Sequence, residues 1–367
     1  AESLAQRLRS FADSLVAVKG EGEGEGVGSR PAAKPYNSPA ATESPPSSPP
    51  GKKQKKKKTK TRQIDDEQKR GPDFSKASFV HLAIKVAYFG WNYYGFARLK
   101  DLDQTVEAKL FKALCKCRLI PPGSDPSAHV DLDYSRCGRT DKGVSASGQV
   151  VALKVRSSPN SNQEPLDYAA MINRYLPDDI RVLGCCEMDS SFHARFSAGR
   201  RHYKYFFLRG VGQSQACLEE EIKRIETAAA HFVGEHDFRN FCKASDSVES
   251  YVRTIHECYV ERLAEGESGT TFAVNVVGSA FLWHQVRCMV SILFSVGEGK
   301  LQADAVKKYL NIVEQPVRPS YTMAPEEPLL LYHCTFDQPV HFTISPYAAR
   351  KLTCHLETLL HDLHIRM

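Results

Sequence analysis

The 367-residue chain has no apolar run long enough to span a bilayer, so a soluble protein is expected. It has no C-x-x-C pair among its eleven cysteines. The nearest neighbours, Cys115/Cys117 and Cys185/Cys186, give no zinc-ligand spacing. The odd count, and positions such as Cys288 inside an apolar run, predict mostly buried free thiols in a reducing compartment. An initiating Met is also missing, as expected of a fragment or a processed form. Finally, there is little net charge outside the N-terminus. The chain carries +6, but 15 Lys and Arg against 10 Asp and Glu fall within Ala1–Phe74, leaving 34 against 33 for the remainder. Any nucleic-acid site in the folded part must therefore be a local patch and not a global field.

What is present begins with an extension that cannot build a core. A short helix is possible over Ala1–Val18, where an organelle leader is argued against by Glu2 and Asp13. GEGEGEG and SPAATESPPSSPP follow, and both are low in apolar residues. Lys52–Arg62, KKQKKKKTKTR, has eight basic residues in eleven, a signal for nuclear import, for non-specific RNA contact, or simply for a solvated tail. The expected location is the nucleus and/or the cytoplasm.

Periodic sequence starts near Ser78. Val80, Leu82, Ile84, Val86 and Tyr88 alternate with His81, Ala83, Lys85 and Ala87, which predicts a strand with one buried face. Val106, Leu110 and Leu114 predict a helix capped by Asp103 or Thr105. Strands are expected around Gln149–Val155 and Ile180–Cys186, with a short helix over Leu166–Tyr175 between them. The pattern then repeats: a strand through Tyr203, Tyr205 and Phe207, a helix through Ile222–Phe232, a strand through Phe272–Val276 and a helix through Met289–Val296. A strand over Pro328–Phe336 and a terminal helix over Pro346–Leu363 close the chain. Two successive α+β halves with a cleft between them are the natural reading. The expected boundaries are 1–74 for the extension, 75–198 and 199–338 for the two halves, and 339–367 for a helical tail.

Three stretches could carry chemistry. In CGRTDKGV, Cys137–Val144, Gly138 and Gly143 would allow positive φ and let Asp141 project from a loop before a strand. Arg139 and Lys142 would hold that carboxylate ionised, which suits a nucleophile or electrostatic anchor better than an acid. In FHARFSAGRRHYKYFF, Phe192–Phe207, six basic side chains sit among five aromatics before Phe207, and the aromatic positions 203, 205 and 207 face away from Lys204. Stacking on one face and phosphate contacts nearby would fit RNA, although Tyr205 and Phe207 read as core. In AFLWHQVRCMVSIL, Ala280–Leu293, Arg287 interrupts an apolar segment. It either snorkels at a helix start or is buried against a carboxylate, for which Asp141 is the candidate.

Taken together these stretches resemble the TruA-type tRNA pseudouridine synthases, collinearly over about Phe79–Asp337. VAYFGWNYYGF is similar to the family's opening strand and aromatic-glycine loop, CGRTDKGV to its catalytic loop, FHARFSAGRRHYKY to its central motif, FLWHQVR to its closing motif and MAPEEPLLLY to its final strand. The wording is closest to the eukaryotic branch acting on tRNA positions 38 and 39 in the anticodon arm. One departure is Gly95–Ala97, where bacterial members usually carry Gly-Trp-Gln. The resemblance implies an isomerase that turns uridine into pseudouridine without metal or organic cofactor. Its fold would be two related α+β (ferredoxin/RRM-like) domains forming a central mixed sheet, working as a homodimer across which tRNA lies. It implies Asp141 as the catalytic aspartate, Tyr203 as the ring stacking on uracil, and Arg287 as the ion-pair partner of Asp141. Arg139, Lys142, Arg195, Arg201 and His284 are the expected substrate contacts. A tRNA binder without catalysis, or a glycoside hydrolase drawing a second carboxylate from Asp131 or Asp133, are the rivals.

Overall fold

The first regular element, β1 (Phe79–Tyr88), is apolar enough to lie inside a sheet and not at its edge. The computed structural model describes residues 72–126, 132–158, 166–245, 248–266 and 269–365, without the side chains of 359–365. The basic segment, the Ala1–Val18 helix and Asp131 lie outside the described residues. β1 runs antiparallel to β3 (Ser145–Arg156) on one side and β4 (Ile180–Met188) on the other. The expectation of a single buried face is corrected here. His81 and Lys85 are 6% and 5% exposed, and Ala83 and Ala87 are fully buried. The second face is covered by the C-terminal helix α6 (Pro346–Ile365), whose Leu352 and Leu356 pack with Ala87, Phe89 and Leu183. A strand buried on both sides reads as alternation only where small or partnered polar residues fill one face. His81 Nε2, 3.0 Å from the Phe192 carbonyl, is such a partnered residue.

α1 (Val106–Lys116) starts where Thr105 accepts from the Ala108 N–H, so Thr105 and not Asp103 is the cap. With α2 (Tyr168–Asn173) it buries Val106, Leu110, Leu114 and Ile172 against β1 and β3. A second apolar set lies where α3 (Gln215–Ala230) and α4 (Gln285–Gly297) pack on β5 (Ala198–Arg209) and β8 (Gly269–Gly278). α3 and α4 approach closely because Gly297 has no side chain; a Cβ there would come within 2.7 Å of Ile225 Cγ1.

The sheet is mixed and has ten strands. Its order is β10 (Thr343–Ile344), β4, β1, β3, β9 (Leu329–Phe336), β5, β8, β7 (Val252–Gly266), β6 (Gly234–Asp237), with β2 (Ser135–Arg136) paired to β3 off this path. β7 was not anticipated, because its side chains are mostly polar and its burial irregular. The join that matters for function is β3 with β9. They pair in parallel through Ser145–Leu330 and Ala146–Leu331, and β9 pairs antiparallel with β5. This puts the loop before β3, the segment before β9 and the Tyr203 stretch of β5 at one place. Among the described residues no helix is long and apolar enough to cross a membrane. The eleven cysteines are free, as expected, but only five are buried, fewer than the sequence suggested.

Candidate active site

The loop Cys137–Val144 is built as a rigid turn. Gln149, in β3, brackets Gly138 through both backbone groups, accepting from its N–H at 3.2 Å and donating to its carbonyl at 3.0 Å. The Thr140 hydroxyl lies 2.7 Å from that of Tyr88, and the Val144 N–H closes a turn onto the Asp141 carbonyl at 3.2 Å. Gly143 does take positive φ, +78°; Gly138 does not, so one of the two expected left-handed glycines is corrected.

The opening motif explains itself by what it touches. Gly90 passes so close to the loop that a Cβ would lie 2.0 Å from the Val144 carbonyl oxygen. Gly95, at φ +99°, would put one 2.9 Å from the Thr140 oxygen and 3.3 Å from the Asp141 carbonyl carbon. The Phe96 N–H donates to Thr140 and the Gly143 N–H to Tyr93. The aromatic-glycine loop is therefore the clamp on the backbone that carries Asp141.

Asp141 opens onto a cavity of about 880 Å³ that Tyr203, Arg287, Arg139, Arg195, Arg201 and His284 also line. Its side chain keeps 27% exposure. Burial pushes its carboxyl up to about 6; Arg287 and the Trp283 side chain pull the other way, and Glu326 adds to the rise. The groups expected to hold it charged, its neighbours in sequence, do not do so. Lys142 is exposed and places its ammonium 5.1 Å from the Tyr94 ring centre, outside the cavity lining.

Arg287 is buried and not snorkelling: 7% of the residue is exposed. Its Nε donates to the Ala324 carbonyl and its Nη2 to Glu326, each at 2.7 Å. The expected one-to-one pair with Asp141 is thus corrected to a guanidinium that ion-pairs with Glu326 and acts on Asp141 through space. A buried guanidinium has more donors than one carboxylate can fill, and the parallel β3–β9 join supplies the second acid. Glu326 also packs on the loop itself, its Cγ where a Gly143 Cβ would stand. Sequence reading missed it, although it lies within the quoted MAPEEPLLLY.

Tyr203 is half-buried, packed against both apolar sets, with Phe281 edge-on at 5.0 Å and 80°. Tyr205 and Phe207 are core, 2% exposed each, and Lys204 turns to the opposite face to meet Glu261 at 2.9 Å. His284 takes φ +65° at the start of α4, leaving Nε2 3.7 Å from Asp141. Burial and Arg287 lower it to about 4, so it is a neutral imidazole at pH 7. Arg201 spends its guanidinium on three carbonyls, those of Cys137, Arg195 and Ser279. Arg195 faces the exposed Phe196 ring at 5.3 Å. Arg139 is exposed and lines the cavity together with Arg136 and Arg195. Arg253, which the sequence did not single out, also lines the wall. Among the described residues no group of three or more His, Cys, Asp or Glu is placed to hold a metal.

The cavity thus sets one partly exposed carboxylate among six arginines on a mixed sheet. A profile of the tRNA pseudouridine synthases matches residues 228–337. A Saccharomyces cerevisiae tRNA pseudouridine(38/39) synthase is 40% identical over 82% of this chain and 70% of its own. The Homo sapiens tRNA pseudouridine(38/39) synthase is 40% identical over 73% and 58%, so the chain spans little more than half of that relative's length. A Methanothermobacter thermautotrophicus tRNA pseudouridine synthase A is 33% identical over 75% and 88%. The chain belongs to the TruA-type tRNA pseudouridine synthase family, whose members are isomerases.

Proposed function

We propose that this protein isomerises uridine to pseudouridine in the anticodon arm of tRNA, at positions 38 and 39, with Asp141 as the catalytic group. The observation that carries the reading is the common cavity: Asp141, Tyr203 and Arg287, from three separate stretches, line one wall. The position rests on the names of the yeast and human relatives.

The target nucleotide is first flipped out of the RNA, at a cost of a few kcal/mol. In the cavity the Asp141 carboxylate acts on the ribose, and the bond from N1 to C1′ breaks. The freed uracil stays under Tyr203, turns, and joins C1′ through C5. One proton leaves C5 and one is gained at N1, so the reaction balances without oxidant, metal or energy source. Arg287 stabilises the charge on Asp141 and is itself held in place by Glu326 and the Ala324 carbonyl. Arg139, Arg195 and Arg201, with His284, form the wall nearest the RNA, and Lys142 stands outside it.

The remaining parts of the reading are these. The two apolar sets are the cores of two related α+β domains, 75–198 and 199–338, followed by a helical tail from 339; the Lys-rich extension assigned to 1–74 lies, up to residue 71, outside the described residues. Two copies act together on one tRNA, in the nucleus and/or the cytoplasm. The test is Asp141→Ala with tRNA tritiated at uracil C5. We expect release to fall at least about 10³-fold with affinity within about threefold, because phosphate contacts dominate binding. Tritium release retained by the variant would overturn the assignment.

A further inference from the structure

Away from the cavity, a groove of about 810 Å³ runs along the outer side of α1. Lys109, Lys112 and Lys116 line it from one helix face, at spacings of three and four residues. Arg174 and Tyr175, just after α2, form the facing wall. Lys112, Lys116 and Arg174 are exposed, and so is the Tyr175 ring, at 41%. Lys116 lies 5.8 Å from that ring's centre.

The groove gathers cations that no carboxylate pairs. Several cations elsewhere on the surface are paired: Arg209 with Glu221 at 2.7 Å, Arg224 with Glu220 at 3.0 Å, Lys307 with Asp304 at 3.2 Å. Among the described residues none of Lys109, Lys112, Lys116 and Arg174 has an ion-pair partner. The one lining carboxylate, Asp179, accepts from the Tyr93 hydroxyl at 2.7 Å. In a folded part whose charges nearly cancel, four free cations around a concavity make a local field for a polyanion.

The groove is also joined to the catalytic loop. Tyr93 lines it, and the Tyr93 carbonyl accepts from Gly143, two residues from Asp141. Next to Tyr93, Tyr94 carries the ammonium of the exposed Lys142 over its ring.

We propose that this groove is a second RNA site, which holds the phosphate backbone of the substrate tRNA away from the nucleotide in the cavity, with Tyr175 as a ring against sugar or base. The proposal rests on the synthase reading. Lysines on a helix face grip phosphates as point charges and carry no sequence information, so the groove supplies affinity and register and no chemistry.

The test is the triple substitution Lys112→Ala, Lys116→Ala, Arg174→Ala, with Lys112→Arg, Lys116→Arg as the charge-keeping partner and thermal melting to confirm folding. Binding to full-length tRNA would be measured from 50 to 200 mM salt, alongside the single-turnover rate at saturating enzyme. Three lost phosphate contacts should weaken tRNA binding about 10- to 100-fold and reduce the salt slope by about two to three. The saturated rate should stay within about twofold, and the arginine variant should bind like the parent. An unchanged affinity and slope in the triple variant overturns the groove, as does a saturated rate that falls as far as the affinity. If the parent protein binds tRNA but releases no tritium, the synthase reading fails by itself, since that result concerns Asp141 and not the groove.

Discussion

The cavity and the α1 groove are both rich in cations, yet they treat them in opposite ways. In the cavity the buried guanidiniums are spoken for: Arg287 by Glu326 and a carbonyl, Arg201 by three carbonyls, and Arg136 by the buried Glu107 at 2.5 Å, while the exposed Arg139 and Arg195 have no ion-pair partner among the described residues. In the groove Lys112, Lys116 and Arg174 are exposed and have no carboxylate partner among the described residues. The difference teaches that charge serves two purposes here. Fixed charge sets the state of one carboxylate and costs no reorganisation when the substrate reacts. Free charge attracts a polyanion and is sensitive to salt. Changes in the cavity should therefore alter rate and pH dependence, and changes in the groove should alter affinity.

The largest break in that contrast is expected at Tyr203, the one aromatic among the three central residues. Tyr203→Phe keeps a ring braced by Phe281 and loses only what the hydroxyl does. Tyr203→Ala removes the platform, and stacking on a base is worth about 1–3 kcal/mol. Single-turnover rates for Tyr203→Ala should lie about 10- to 100-fold below those for Tyr203→Phe. Equal rates in the two variants would show that stacking is not its task.

Next comes Glu326→Gln. Removing that charge takes away one influence that raises Asp141 and frees Arg287 to turn toward it, and both act in the same direction. The acid limb of the rate profile, expected near pH 6 in the parent, should move to lower pH. The rate on the plateau should fall about tenfold as Arg287 loses its anchor. Single-turnover rates from pH 5 to 8 read both quantities, and a limb that stays near 6 with an unchanged plateau would show Glu326 to be a bystander.

How much of this was visible in the sequence depends on the range of the interaction. β1, α1, α3 and α4 announce themselves by periodicity, and Asp141, Tyr203 and Arg287 by sitting oddly in otherwise ordinary segments. Glu326 does not, because its importance comes from a parallel pairing of β3 with β9 across 185 positions, Ser145 to Leu330, that no local pattern encodes. The same holds for β1's second face, whose cover is a helix at the far end of the chain. Lys142 misled for a related reason: adjacency in sequence suggested contact with Asp141, but consecutive side chains in a tight turn diverge, and it rests on Tyr94. The groove lysines were legible as a helix face but not as a groove, since Arg174 and Tyr175 arrive from beyond β3.

The smallest effect expected is in stability, and it separates the two regions most sharply. Burial lifts Asp141 from its ordinary 3.8 to about 6, so the folded protein prefers the neutral acid. The sign follows from linkage. The favourable contribution of the protonated carboxyl is full below about pH 4 and disappears as pH rises through about 6, because the folded state must then bury a charge that the unfolded chain leaves in water. The gap corresponds to about 3 kcal/mol at most, and to about 1–2 kcal/mol once the partial exposure of the carboxyl is allowed for. Asp141→Asn imitates the neutral acid, so it should be more stable than the parent by about that amount at pH 8 and equal to it at pH 4. Denaturant unfolding at the two pH values measures this. Neutralising the groove, by contrast, should leave stability within about 0.5 kcal/mol, as for exposed charges without partners. An Asp141→Asn variant no more stable than the parent at pH 8 would mean that the carboxylate is at ease in its cavity, and that its position there reflects packing and not a charge held ready for the reaction.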